Sequence, residues 1–423
     1  MINKFSQNYY FKLKLFCIFS IIFLIFYRSP YILTNGRFVA EEGSFFFKNS
    51  FENGFLFGLT QIHFGSGYLN LWANICTAFA SLAKLEYAPL VTVYLNFFLI
   101  IFLIYYVINS SSFILSNLFY KYLFCLLIIV SPLSAPEVWL NSINAQVYLG
   151  IFSIIIFLNN FHIKKKIHKL SVYTLFLSGL TSLYACVLTP FFYLKFKIFK
   201  NRTDLKNFFV LSICSLIQLS IFFYSKLNNL AYEGVRHQIS LEKLTSFYYN
   251  VLVKPLIGRE NSYLFINYLK NLDVKILLVL FSILISFILF FCIKYFIKKK
   301  DYIFFFLLCI FISETVLIFY GSHNNHAGGR YSVVPGSIVF LILIKICTED
   351  IKIIKNISLL LILISIASGL YEFKNNNSYK NFLLCNNCPV WKDEIKIWRN
   401  NPQYKISIWN YPGETMSLKK IKN

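Results

Sequence analysis

Apolar stretches near the roughly 20 residues needed to cross a bilayer recur along almost the whole chain, and no other feature limits its fold so tightly. They fall at 11–33, 68–85, 87–108, 117–133, 147–161, 207–226, 275–297, 302–320, 332–348 and 357–371. Backbone in lipid must satisfy its own hydrogen bonds, so each stretch is expected to be a helix. The expected fold class is therefore all-α, a polytopic transmembrane bundle of about 10–12 membrane segments. Composition agrees, with 57% hydrophobic and only 14% charged residues in 423, far from a soluble domain.

The formal charge of +23 would point a soluble protein toward nucleic acid. Here the cations sit in short clusters flanking apolar runs, which reads as topology, and no nucleic-acid partner is expected. The clusters are Lys164, Lys165, Lys166 and Lys169; Lys195, Lys197, Lys200, Arg202 and Lys206; Lys294, Lys298, Lys299 and Lys300; and Lys345, Lys352 and Lys355. The positive-inside rule makes all of them cytoplasmic, together with the N-terminus, whose Lys4, Lys12 and Lys14 precede a first helix with no small-residue cleavage site. From the second cluster onward the crossings alternate without conflict, which puts 227–274, 321–331 and the tail from 372 outside the cytoplasm.

Two places resist a simple count. Only 25 residues, 170–194, separate the first two clusters, too few for two crossings, so a broken re-entrant hairpin turning near Gly179 to Ser182, or an interfacial segment, is expected. Upstream of Lys164 the five apolar segments give the wrong parity, so one of them does not span or a crossing lies hidden between 87 and 133. The domain layout expected is a transmembrane domain, 1–371, with external loops 34–67, 134–146, 227–274 and 321–331, followed by a small extracytoplasmic cap, 372–423.

The first external loop carries Glu41 and Glu42 close behind a membrane helix and among phenylalanines, then Gln61, His63 and Tyr68. Desolvation and a neighbouring like charge raise a carboxylate's proton affinity, which suits a general base or a divalent-cation ligand. A solvated acidic pair offsetting a helix dipole is the plainer alternative. A membrane helix, an external loop with an acidic pair and a train of further helices resembles the GT-C class of integral membrane glycosyltransferases. The resemblance implies a polyprenyl-phosphate-linked sugar donor, an outer-face site and one carboxylate of the pair as catalytic base. The pair common in that class is Asp-Glu or Glu-Asp; here it is Glu-Glu, which leaves open whether Glu41 or Glu42 corresponds.

A second polar patch, 134–146, brings Glu137, Asn141, Asn144 and Gln146 together with Trp139 and Tyr148, donors, acceptors and flat apolar faces that suit a sugar ring; an ordinary interfacial loop with a belt aromatic is the alternative. A third holds His323, His326, two glycines and Arg330. The guanidinium can grip a phosphate at two points, and Arg330 with His323 or His326 is the expected phosphate clamp, with an Arg at a headgroup interface as the plainer alternative. Two histidines without a third ligand are weak for zinc, so no metal site is assigned and a divalent cation stays optional. Glu314, inside an apolar run, is a functional candidate by its placement alone. Four of the six histidines, His63, His237, His323 and His326, fall on the external side, and Arg236, Lys254 and Arg259 add cations there.

The tail differs in composition. It holds three of the five tryptophans and Cys385 and Cys388, whose two-residue gap is tight for a disulfide. Taken together, the sequence points to a multi-pass protein of a bacterial inner membrane. Its expected activity is transfer of a sugar from a polyprenyl-linked donor to a cell-surface glycan or lipid acceptor, with Glu41 or Glu42 as base and inversion at the anomeric carbon. A polysaccharide polymerase or ligase, and a transporter or flippase for lipid-linked sugars, are the alternatives.

Overall fold

The computed structural model describes residues 2–132, 136–159, 166–230, 249–258, 264, 301–321, 329–349, 352–375, 389–409 and 413–419. The expected segment 275–297, most of the loop 227–274, Lys164 and Lys165, His323 and His326, and Cys385 and Cys388 lie outside them.

Among the described residues, six helices are long and apolar enough to cross a membrane: Tyr9–Arg28, Leu85–Asn109, Arg202–Leu227, Tyr302–Gly321, Gly329–Cys347 and Lys352–Phe373. The chain is a mostly helical, multi-pass membrane protein. Phe16, Phe19 and Phe23 stand exposed on the first of these helices, the placement of side chains that lipid rather than protein covers. At the centre lies Ala145–Phe157, where nearly every side chain is buried. Such all-round burial needs a helix that is apolar on every face, which this one is.

The chain joining the first two basic clusters is a helix pair, Lys169–Gly179 and Leu183–Phe199, bent by 116°, and its break falls where Gly179 to Ser182 were expected to turn. Protein supplies the hydrogen bonds that the break removes, as a bilayer requires. The Leu180 carbonyl accepts from the Leu71 amide (3.1 Å), the Thr181 hydroxyl from the Trp72 amide (3.1 Å), and the Gly179 carbonyl from Gln218 Nε2 (3.0 Å).

The apolar segment at 68–85 contains only an 11-residue helix, Leu71–Ser81. At 1.5 Å per residue it reaches about half-way through a hydrocarbon layer. It begins at Asn70, whose side chain accepts from the Ala73 amide, and its first residues serve as the partners of the break just described.

The tail forms a helix, Trp391–Asn400, and a small antiparallel pair, Ile406–Ser407 with Thr415–Met416, a minor exception to the all-α expectation. It docks on the first loop. Trp391 meets Phe38 edge-on with centroids 5.0 Å apart and donates its indole N–H to the Leu85 carbonyl at 2.7 Å. Arg399 pairs with Glu86 at 2.6 Å.

Candidate functional site

The first loop is shaped by where its backbone must go. Gly36, at φ +68°, lies so close to the start of helix Ala88–Asn109 that a Cβ would come within 2.8 Å of the Leu90 amide. Four residues on, Ala40 takes φ +45°, a costly conformation for a residue with a side chain and one that persists only when the surroundings impose it. They do so from two sides. Trp409 of the tail pairs with the loop as a short parallel bridge, accepting from the Ala40 amide at 2.5 Å and donating to the Phe38 carbonyl at 3.1 Å. Its ring also lies 4.3 Å from the Arg37 guanidinium.

On the other side stands Glu42. Its carboxylate is fully buried and accepts from the Ser142 amide (2.7 Å), the Ser142 hydroxyl (2.6 Å) and the Val39 amide (3.2 Å). Burial pushes this carboxyl above the usual range, while the Ser142 and Val39 hydrogen bonds pull it back. Arg37 interacts with it electrostatically. Glu42 thus fastens the first loop to the 136–146 patch.

Glu41 points the other way. It lines a cavity of about 500 Å³ and accepts no hydrogen bond among the described residues. Arg330, Tyr331, Asn144 and Gln146 line the same cavity, as do Tyr68 and Tyr184. The two glutamates, equivalent in the sequence, are therefore separated by the fold into a strut and a cavity group.

Arg330 reaches the cavity because its segment docks on the second patch. The turn Gly329–Ser332 begins at a glycine with φ +61°, where a Cβ would collide with the Glu137 carboxylate. That carboxylate accepts from the Arg330 amide at 2.5 Å. The guanidinium itself makes two long hydrogen bonds, Nη1 lying 3.4 Å from Asn144 Oδ1 and Nη2 3.4 Å from the Tyr331 hydroxyl, both at the long limit, and it interacts electrostatically with Tyr331 and Glu137. With five donors available, it is positioned to hold an anion.

The remaining expected residues divide by role. Gln146 lines the cavity and donates to the Tyr68 hydroxyl at 3.0 Å. Burial raises the Tyr68 phenol, with Arg330 and the Gln146 bond acting against it. Asn141 is buried and turned to structure, donating to the Glu137 carbonyl at 2.6 Å and accepting from the Asn144 amide at 3.0 Å. Glu137 docks the Arg330 turn as described. His63 is packed against Phe45, centroids 4.4 Å apart, with Nδ1 2.6 Å from the Ser66 hydroxyl. Ser66 is a cavity wall residue and His63 stands behind it.

Tyr184, Ser215 and Gln218 complete the wall and were not singled out in the sequence, because each sits inside an apolar run. Ser215 and Gln218, three apart on helix Arg202–Leu227, are the available signal: two polar residues on one face of a membrane helix. Among the described residues, no three His, Cys, Asp or Glu side chains converge in a way that could hold a metal ion. Comparison with protein-family models, with curated proteins and with solved structures finds no match to this chain.

Proposed function

We propose that this chain is a membrane glycosyltransferase of the GT-C kind, moving a sugar from a polyprenyl-phosphate-linked donor to a cell-surface glycan or lipid acceptor at the outer face of a bacterial inner membrane. The observation that carries the reading is the sharing of one cavity by Glu41, which accepts no hydrogen bond among the described residues, and the Arg330 guanidinium, whose two hydrogen bonds there are long. Glu41 accepts the proton of the acceptor hydroxyl as that oxygen attacks the anomeric carbon, and Arg330 balances the charge of the departing phosphate. Asn144, Gln146 and Tyr68 supply hydrogen-bond partners for sugar hydroxyls. Base and leaving group act on opposite faces of the sugar, so the product is inverted. No metal ion is needed for either role.

The reading places the N-terminus in the cytoplasm and the tail outside. The short helix Leu71–Ser81 supports it: without that crossing, and with the 13-residue apolar helices Leu118–Val130 and Ala145–Phe157 counted as crossings, four segments precede Lys164, the even number that a cytoplasmic N-terminus and a cytoplasmic Lys164 require. The tail would then be the external cap, seated over the loop that carries Glu41.

The test is glycan transfer in membranes supplied with polyprenyl-linked sugars. Glu41→Gln is expected to lower transfer by about 10²–10⁴-fold, the range for loss of a general base, and Arg330→Ala to abolish it. Full activity of Glu41→Gln would overturn the base assignment. If Arg330→Ala alone abolished transfer, the polymerase or ligase reading, which needs the guanidinium and not the acid, would replace it.

A further inference from the structure

The cavity leaves one strongly charged corner of the molecule unused. Helices Leu183–Phe199 and Arg202–Leu227 meet there in a joint of two residues, Lys200 and Asn201. Asn201 caps the second helix, its side chain accepting from the Thr203 amide at 2.9 Å. Lys200 ends the first in the left-handed region, at φ +54° and ψ +26°, with its amide donating to the Phe196 carbonyl at 2.7 Å. Glycine fills such a position without steric cost, whereas a residue with a side chain is strained there. What the lysine adds is a cation.

Lys197, Arg202 and Lys206 stand with it, and all four are exposed. At 1.5 Å per residue they lie within about 6 Å of the joint along either helix axis. The acid closest in the chain is engaged elsewhere, since Asp204 is buried and pairs with Lys195 at 3.1 Å. Helix Lys169–Gly179, packed against Arg202–Leu227, carries no acidic residue. Among the described residues none of the four cations has an acidic partner; Lys197 lies over the Tyr193 ring, 5.2 Å from its centroid. Lys345, in another of the basic clusters, differs: it pairs with Asp301 at 2.8 Å and with Glu349 at 2.9 Å.

Beyond the cations the same faces turn apolar. Arg202, Lys206, Phe209, Ile213 and Leu216 follow one another at steps of three or four, so they share one helix face, and all are exposed. On the first helix Tyr193, Leu194 and Ile198 are exposed beside Lys197. With the stripe from Phe209 to Leu216 in hydrocarbon, the four cations come to the headgroup layer, where lipid phosphates are the anions in contact.

We propose that this corner is a binding site for an anionic phospholipid, in the leaflet that the positive-inside rule makes cytoplasmic. Lys200 and Arg202 hold the phosphate at the joint, Lys197 and Lys206 flank it, and the acyl chains lie along the stripe. The guanidinium supplies a two-point grip and the ammonium groups act as point charges. The site does not depend on the glycosyltransferase reading.

The test uses the full-length protein in a non-ionic detergent, with bound lipid counted by native mass spectrometry as dioleoyl phosphatidylglycerol or dioleoyl phosphatidylcholine is added. The wild type is expected to prefer phosphatidylglycerol, by about fivefold for each cation engaged. Lys200→Gly should lower the phosphatidylglycerol affinity about fivefold, yet raise the unfolding midpoint measured without lipid, because the strained turn relaxes. Changing Lys197, Lys200, Arg202 and Lys206 together to Gln should remove most of the preference; all four are exposed, so the fold is kept. Lys352→Gln with Lys355→Gln, equally exposed cations elsewhere, should behave as the wild type. Equal binding of the two lipids by the wild type, an unchanged affinity in Lys200→Gly, or a preference that survives the fourfold change would overturn the site. So would an equal loss in the Lys352 and Lys355 variant. Inorganic phosphate that displaces phosphatidylglycerol at matched concentration would overturn lipid as the source of the anion.

Discussion

Two charge sites in this bundle are built on opposite principles. Near the end of helix Ala145–Phe157, Lys195 and Asp204 form a pair at 3.1 Å with side chains 2% and 1% exposed, and Lys195 Nζ also donates to the Phe157 carbonyl (2.6 Å) and the Asn159 carbonyl (3.0 Å). Around the cavity, Glu41 accepts no hydrogen bond among the described residues, Arg330 holds two weak ones, and Glu314 has none. The first site sets opposite charges in direct contact and so reads as structure. The second leaves its groups less complete, with Glu41 and Arg330 half-buried and Glu314 fully buried, and such incompleteness is costly in proportion to burial unless something else completes it. Glu42 belongs with Lys195 and Asp204 in this division, and its chain neighbour Glu41 belongs with Arg330.

The largest expected effect comes from breaking the matched pair. Lys195→Met leaves Asp204 buried without its cation and should destabilise the fold by about 3–5 kcal/mol, seen as a large loss of folded protein in a thermal scan in detergent. An intermediate effect is expected at the join between patches. Gly329→Ala forces a side chain into positive φ and against the Glu137 carboxylate, for a cost of about 1–3 kcal/mol. Because it displaces the turn that presents Arg330, it should also weaken binding of dodecyl phosphate. The smallest is Ser142→Ala, which removes one of the donors to Glu42 and should cost about 1 kcal/mol, leaving the cavity groups in place. Dodecyl phosphate binding should then match the wild type.

Much of this division was legible in the sequence, and the rest was not for definite reasons. The membrane helices follow from apolar runs. The break at 180–182 follows from the spacing of two basic clusters, since 25 residues cannot cross twice. The three polar patches at 41–42, 137–146 and 330 came from composition, and the fold brings members of all three to one cavity. The opposite orientation of Glu41 and Glu42 was not readable, because it depends on Ala40 at φ +45° and on Trp409, hundreds of residues away. His63 and Asn141 looked like binding groups by residue type, yet a neighbouring aromatic cluster and a local turn absorb them. The helix Leu71–Ser81 looked like a crossing because its flanks are apolar too. Asn70 starts it late, and its early residues complete the break in the bent pair.

The division between strut and cavity group is tested most directly by thermal unfolding of purified Glu41→Gln and Glu42→Gln, measured side by side. In Glu42→Gln an amide N–H₂ must face a site lined by donors, so its midpoint should fall by an amount corresponding to about 1.5–3 kcal/mol. Glu41→Gln, with no hydrogen bond to lose, should stay within about 0.5 kcal/mol of the wild type. The reverse order, or equal losses in both, would contradict the account.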